Sequence, residues 1–154
     1  MGARNGKMNL AAYYNPTGHH VASWRHPRAV KDAHINIKHY VEIAQTAERA
    51  KFDLLFLADG NAVRKAHIDA ISRSTQFVAH FEPLTLLSAL AMVTEHIGLV
   101  GTASSSWNAP YHIARKFASL DHISGGRAAW NVVTSGNDAE SQNFGVDHAY
   151  AHAD

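Results

Sequence analysis

The pattern of hydrophobic and polar positions along the chain predicts β-strands that alternate with α-helices. Four short apolar runs, rich in strand-forming residues, are separated by longer segments in which apolar residues recur at helical spacing. The predicted strands are residues 10–14, 52–58, 97–102 and 127–133. The second run is apolar at every position except Asp53, which is typical of a strand buried on both faces of a parallel sheet.

Three helices are predicted between these strands. The first begins at Asn36, a residue type that caps helix N-termini, and its apolar positions recur with a period of about 3.6 residues. The second has Pro83 in its first turn and ends near His96. The third ends at Gly125-Gly126, because glycine tolerates the positive φ of a helix C-terminus. Residues 60–82 are polar and weakly periodic, and we interpret them as a long excursion from the sheet.

The order of these elements predicts an α/β fold with parallel strands, because strand–helix–strand connections are right-handed crossovers. An open doubly wound sheet and the first half of a barrel both fit this order. The barrel is favoured because polar or aromatic residues follow each strand, where (β/α)₈ enzymes assemble their active sites. We therefore expect the N-terminal portion of a (β/α)₈ TIM barrel. A complete barrel takes about 250 residues, so residues 1–154 are expected to form a single incomplete domain.

Composition narrows the class of protein. The formal net charge is +1 and 18% of the residues are charged, so nucleic acid is not an expected partner. The sequence contains no run of about 20 apolar residues, the length that a membrane span requires. The cytoplasm is the default location. Cysteine is absent, which excludes disulfides and a thiolate nucleophile. The 12 histidines are scattered and form no zinc-binding motif, so no metal site is expected.

Four polar loops are expected to meet at the C-terminal ends of the strands, namely residues 15–26, 59–60, 102–108 and 131–138. Asp59, directly after the second strand, is as well explained by turn formation as by ligand binding. His19 and His20 are better candidates than Asp59 for a functional role, because two imidazoles near the indole of Trp24 can enclose an aromatic ligand and supply a proton. No glycine-rich phosphate motif follows any strand, which argues against a dinucleotide-binding Rossmann domain.

Five blocks of sequence resemble a known family. In chain order they are GHHVASWRHP from Gly18, KFDLLFLAD from Lys51, FEPLTLLSALA from Phe81, PYHIARKFASLDHISGGRAAWNVVTS from Pro110 and NFG from Asn143. Together they resemble the nitrilotriacetate monooxygenase component A and dibenzothiophene-sulfone monooxygenase group of the bacterial luciferase-like flavin-dependent monooxygenases. The resemblance runs in unbroken order from Leu10 to the last residue.

This resemblance implies a two-component monooxygenase. Such an enzyme receives reduced FMN from a separate NAD(P)H:flavin reductase, activates O₂ as a flavin C4a-hydroperoxide and oxygenates a small organic substrate. The full-length protein is implied to be a homo-oligomer. The flavin contacts that the resemblance implies are Asp59, Ser105, Asn131 and His152, and the catalytic histidine in the substrate-side loop is His19 or His20. The phosphate-binding region is expected in the second half of the barrel, beyond residue 154.

Two alternatives stay open. The first is a deazaflavin-dependent dehydrogenase of the same fold, against which the blocks GHHVASWRHP and AAWNVVTS argue. The second is a catalytically inactive fragment that serves only as a binding or assembly partner, because the open edges of a half-barrel favour association. The identity of the bound flavin separates the first alternative from the monooxygenase, and the activity of the chain separates the second.

Overall fold

The computed structural model describes residues 8–63, 66–74, 76 and 78–151. Within this part of the chain, one or two α-helices follow each strand, and two short 3-10 helices lie at Ser23–Arg25 and Ala33–Ile35. In chain order the main elements are β1 (Ala11–Tyr13), α1 (Ile37–Arg49), β2 (Leu54–Leu57), α2 (Ile68–Ile71), α3 (Pro83–Ala91), β3 (Gly98–Ser104), α4 (Pro110–Ser124), β4 (Ala128–Val133) and α5 (Asp138–Asn143).

The strands form one parallel sheet in the order β1-β2-β3-β4. In its register, Leu55 lies beside Ala12 on one side and Leu99 on the other, and Leu99 lies beside Ala128. The prediction of an α/β fold with parallel strands and helical crossovers is therefore confirmed. Strands β1 and β4 lie at the two edges, so the sheet is open within the described residues.

The hydrophobic core lies between the sheet and the helices. The most deeply buried leucines come from both layers and are Leu55, Leu87, Leu90, Leu99 and Leu120. Burial of one leucine side chain contributes about 1.5–3 kcal/mol, so this cluster holds α3 and α4 against the strands. Helix α3 packs on β3 and contacts both α1 and α4.

Gly101 of β3 allows the close approach of α3 to the sheet. A Cβ atom at this position would lie 3.1 Å from side-chain carbons of both Leu84 and Leu87. Protein interiors are close-packed, so even one added methyl group here would displace a buried leucine.

The helix ends agree with the sequence prediction at two places and differ at a third. Asn36 caps α1 through its side-chain oxygen, and Gly125, with a φ of 67°, ends α4. Helix α3 ends at Ala91, whereas the sequence predicts an end near His96. The physical reason is that residues 92–97 form a turn whose backbone groups bond to side chains from other elements.

The first of these side chains is Glu48 of α1. Its Oε1 atom accepts hydrogen bonds from the backbone N–H groups of Glu95, His96 and Ile97, at 2.9, 2.6 and 3.0 Å. Burial alone would raise the pKa of Glu48, but the three N–H donors outweigh it, and the pKa of this carboxyl lies below its ordinary value. The carboxylate thus fixes the start of β3.

The second side chain is Arg127, directly before β4. Its guanidinium donates to the backbone oxygens of Ala91, Thr94, Ile97 and Ser124 and to the Thr94 hydroxyl, at 2.7–3.0 Å. Each of its five donors has been matched with an oxygen. Arg127 and Glu48 therefore hold the end of the sheet at which the strands begin, opposite to the polar loops.

Candidate active site

The four parallel strands all finish at the same end of the sheet, and two cavities open there. The larger has a volume of about 410 Å³ and lies beside the ends of β1 and β2. The smaller, of about 180 Å³, lies beside the ends of β3 and β4. Asp59 lines both cavities, so its carboxyl group lies where they adjoin.

Asp59 is paired with a histidine in the larger cavity. The Nε2 atom of His80 lies 3.2 Å from Oδ1 of Asp59, whose side chain is only 15% exposed. The hydrogen bond to Asp59 raises the pKa of His80, and partial burial opposes this shift. The contact with Asp59 therefore stabilises the protonated imidazole of His80. Sequence reasoning missed His80, because it lies in the weakly periodic excursion and belongs to no motif that points to a partner.

A second histidine in this cavity is held in the neutral state. His34 is 7% exposed, and its Nε2 atom lies 3.3 Å from the hydroxyl of Thr17, which also bonds to Gln76. Burial, followed by the nearby charge of His80, lowers the pKa of His34 to about 4. Of the two histidines, His80 therefore takes up a proton at the higher pH.

Two buried polar atoms at the larger cavity have no hydrogen-bond partner among the described residues. They are the hydroxyl of Tyr14 and Oδ1 of Asn15, and both residues line the cavity. Burial raises the pKa of Tyr14, so its hydroxyl keeps its proton and is a donor. A buried polar group left unpaired costs about 1–3 kcal/mol, so this wall is suited to a ligand or water that accepts from Tyr14 and donates to Asn15.

A chain of hydrogen bonds lines the smaller cavity. Ser104 Oγ lies 2.8 Å from Ser135 Oγ, which donates to Glu140 Oε2 at 2.7 Å. The Nδ2 atom of Asn61 donates to the same carboxylate oxygen at 3.4 Å. These contacts join the loop after β2, the ends of β3 and β4, and α5. The sequence offered no signal for them beyond the polar character of each loop.

The structure places the two sequence-predicted histidines at the mouth of the larger cavity. His19 is exposed, and its Nε2 atom lies 3.2 Å from the backbone oxygen of Tyr13, whose ring it contacts. His20 is also exposed, and its Nδ1 atom accepts from the N–H of Ala22 at 3.1 Å. Asp59 lies in the same cavity, so these three residues are brought together.

The other sequence-predicted residues have different surroundings. Ser105 donates to the backbone oxygen of Val133 and lines an apolar groove of about 690 Å³ between α4 and β4. It is Ser104 that lines the smaller cavity. Asn131 donates to Thr102 Oγ1 at 3.0 Å and so holds a hydroxyl of the smaller cavity. His152 lies outside the described residues.

Two further properties of the described part of the chain bear on its chemistry. Within residues 8–63, 66–74, 76 and 78–151, no three His, Asp or Glu side chains are grouped so that they could hold a metal ion. No helix in these ranges has the length and apolar character that crossing a membrane requires.

Comparisons with known proteins connect this site to a family. The sequence profile described as luciferase-like monooxygenase matches residues 17–154. N-acetyl-S-(2-succino)cysteine monooxygenase of Bacillus subtilis (strain 168) is 49% identical over 99% of this chain and 33% of its own length. Nitrilotriacetate monooxygenase component A of Aminobacter aminovorans is 50% identical over 100% of this chain and 35% of its own length. The chain therefore spans about a third of the curated relatives it matches.

A solved structure agrees with these sequences. The riboflavin lyase RcaE, determined with modified FMN and riboflavin, superimposes with a TM-score of 0.81 at 32% identity. The match covers 93% of this chain and 33% of that protein. The expected N-terminal portion of a (β/α)₈ barrel is confirmed, because solved structures with this fold match the parallel sheet and its helices. The chain belongs to the luciferase-like monooxygenase family and carries an N-terminal portion of its barrel.

Proposed function

We propose that residues 1–154 are a single incomplete domain of an FMN-dependent monooxygenase that uses O₂ to oxygenate a small organic substrate. The observation that carries this proposal is the pair of adjoining cavities at the strand ends, which share the carboxylate of Asp59. Relatives that are named monooxygenases support the reaction class. A structural neighbour with modified FMN supports the cofactor.

The residues present fit a flavin. Ligand pockets typically measure about 300–1,000 Å³, and the larger cavity, of about 410 Å³, lies within this range. The unpaired hydroxyl of Tyr14 and Oδ1 of Asn15 require a ligand with both an acceptor and a donor, as the polar edge of an isoalloxazine ring provides. When bound, reduced flavin supplies the electrons and the site of O₂ activation.

We assign roles to the residues of the chain as follows. One carboxylate oxygen of Asp59 accepts a hydrogen bond from the flavin, while the other, Oδ1, is bonded to His80. Asn131 keeps the Thr102 hydroxyl in place, and we keep Ser105 and His152 as proposed flavin contacts on the basis of the family resemblance. His19 and His20, at the cavity mouth, move a proton at the substrate, because imidazoles gain and lose protons near neutral pH.

The remaining parts of the enzyme are proposed from the relatives. The relative from Aminobacter aminovorans is named component A, which supports a second component, and we propose an NAD(P)H:flavin reductase that delivers reduced FMN. Such a reductase uses the nicotinamide pool of the cytoplasm, which we propose as the location. The complete protein is proposed to be a homo-oligomer, and its phosphate-binding residues are proposed to follow residue 154.

An NMR titration of the ¹⁵N-labelled chain with millimolar FMN tests the flavin site. We expect shifts of the amides at Asp59, Thr102 and Ser135, and we expect Asp59→Ala to reduce these shifts. Asp69→Ala is the matched control, because Asp69 also pairs with a histidine but lies exposed on α2. Shifts confined to other surfaces, or equal affinity in Asp59→Ala, would contradict the proposal. Preferential binding of a deazaflavin would favour the dehydrogenase alternative.

A further inference from the structure

Glu140 reaches the strand ends from α5 and lies over the loop after β2. Its Oε1 atom lies 3.8 Å from the position that a Cβ on Gly60 would occupy. Asn143, at the other end of α5, donates to the backbone oxygen of Asn61 at 2.6 Å. The ring of Phe144, just after α5, stacks on Trp107 at 5.0 Å between centroids. These two contacts hold the C-terminal end of α5, the helix that carries Glu140.

The hydrogen bonds of Glu140 determine the direction of two hydroxyl protons. An ionised carboxylate only accepts hydrogen bonds, so the proton between Ser135 and Glu140 belongs to Ser135. A serine hydroxyl has one proton, so Ser135 has none left to donate to Ser104. In the contact between the two serines, Ser104 is therefore the donor. The N–H of Ser106 donates to Ser104 Oγ at 3.3 Å, which agrees with this order.

A third hydroxyl of the smaller cavity also has its proton committed. Thr102 donates to the backbone oxygen of Leu57 at 2.8 Å and accepts from Asn131. The side chains of Asp59, Thr102, Ser104, Ser135 and Glu140 all line this cavity. These five side chains present to a ligand lone pairs on three hydroxyl oxygens and two carboxylates. Two further polar residues line the cavity, namely Asn61, whose Nδ2 donates to Glu140, and Thr134.

We infer that Glu140 is a positioning residue that orders the hydroxyl protons of Ser104 and Ser135 and so makes the smaller cavity selective for a hydrogen-bond donor. The groups that fit are a ring N–H or the hydroxyls of a polyol, and an anionic group such as phosphate is rejected by the two carboxylates. This inference rests on the proposed function, in which the cavity holds part of the flavin.

A ligand-free measurement tests the proton order. The deuterium isotope shift at serine Cβ reports whether a serine hydroxyl exchanges slowly with solvent. We expect slow exchange for Ser104 and Ser135 in the unmodified chain and faster exchange of both in Glu140→Ala. Fast exchange of both hydroxyls in the unmodified chain, or no change in Glu140→Ala, would overturn the inference without any reference to flavin.

A binding measurement tests the selectivity. In Glu140→Gln, an NH₂ group replaces one carboxylate oxygen. The cavity wall therefore loses an acceptor and gains a donor in either orientation of the amide. We expect riboflavin to bind this variant about tenfold more weakly in the NMR titration, because a donor then faces a donor. Glu95→Gln removes the same charge at a side chain that is 85% exposed, and it should bind as the unmodified chain does.

Flavin analogues identify the donor and distinguish a local from a general effect. Lumiflavin lacks the polyol, and N3-methylriboflavin lacks the ring N–H. We expect one of these analogues to bind Glu140→Gln and the unmodified chain equally, because it lacks the donor that the cavity recognises. Equal weakening for all three flavins would indicate a general distortion and would overturn the inference. Absence of flavin shifts in the unmodified chain would refute the proposed function, and the exchange measurement would then decide the inference by itself.

Discussion

Arg127→Met is expected to destabilise the chain by about 2–3 kcal/mol, because it removes the charged donor from a half-buried hydrogen-bond network. The guanidinium makes five hydrogen bonds, four of them to the backbone oxygens of Ala91, Thr94, Ile97 and Ser124. Single bonds to a charged donor are worth about 1.5–3 kcal/mol, but bonds that share one side chain do not add. Methionine keeps the aliphatic volume and removes every donor, so the carbonyl oxygens lose their partner.

Urea unfolding followed by circular dichroism measures this effect, and the slope should stay constant while the midpoint falls. Arg127→Lys should recover part of the loss, because an ammonium has three donors but lacks the planar fork of the guanidinium. Arg115→Met on the exposed surface of α4 is the matched control and should change stability by less than about 0.5 kcal/mol. A loss below about 1 kcal/mol in Arg127→Met would refute the argument that this side chain fixes the turn.

Further outcomes are expected at both ends of the sheet. Because the pKa of Glu48 is lowered on folding, its contribution is present above about pH 4.3 and is lost as the pH falls through the folded pKa. The difference in urea midpoint between the unmodified chain and Glu48→Gln should therefore shrink in acid, and a constant difference would contradict this assignment. Gly101→Val should cost about 1–3 kcal/mol by crowding two buried leucines of α3, which thermal unfolding would measure. In the complete enzyme, replacement of His19 and His20 by alanine should reduce product formation more than FMN binding, and unchanged turnover would make this loop structural. The chain alone should form no oxygenated product with NADH, a flavin reductase, FMN and candidate substrates, because the open sheet gives the flavin half a wall. Product above a reductase-only control would show that the chain assembles a complete site.

The sheet and its helices could be predicted because their signals are local. Apolar runs, the Asn36 cap and the Gly125 terminus each lie within a few residues of the element that they define. The end of α3 could not be predicted in this way. It depends on Glu48 and Arg127, which reach the turn from positions at least 30 residues away in sequence. Long-range side-chain bonds of this kind leave no periodic pattern.

The candidate site could be predicted only in part, for a related reason. Asp59 follows directly after a buried strand, and its place at the strand ends follows from the parallel topology. The sequence indicates Ser105 and gives no signal for Ser104, and the two serines line different cavities, because Ser104 ends β3 and Ser105 begins the loop after it. His80 lies in a loop and Glu140 on the short helix α5, and tertiary contacts set the positions of both, such as the bond between Glu140 and Asn61, 79 residues apart.

The two ends of the sheet, where the strands begin and where they finish, differ in how many of their polar groups have hydrogen-bond partners. Where the strands begin, every donor of Arg127 has a hydrogen-bond acceptor in the chain, and Glu48 accepts from three backbone N–H groups. Where the strands finish, Tyr14 and Asn15 hold buried atoms without a partner among the described residues. Each such atom costs about 1–3 kcal/mol, a sizeable fraction of the 5–15 kcal/mol by which a typical domain is stable. This contrast is what we expect of a protein that binds a ligand at the C-terminal ends of its strands, and it supports the proposed flavin site.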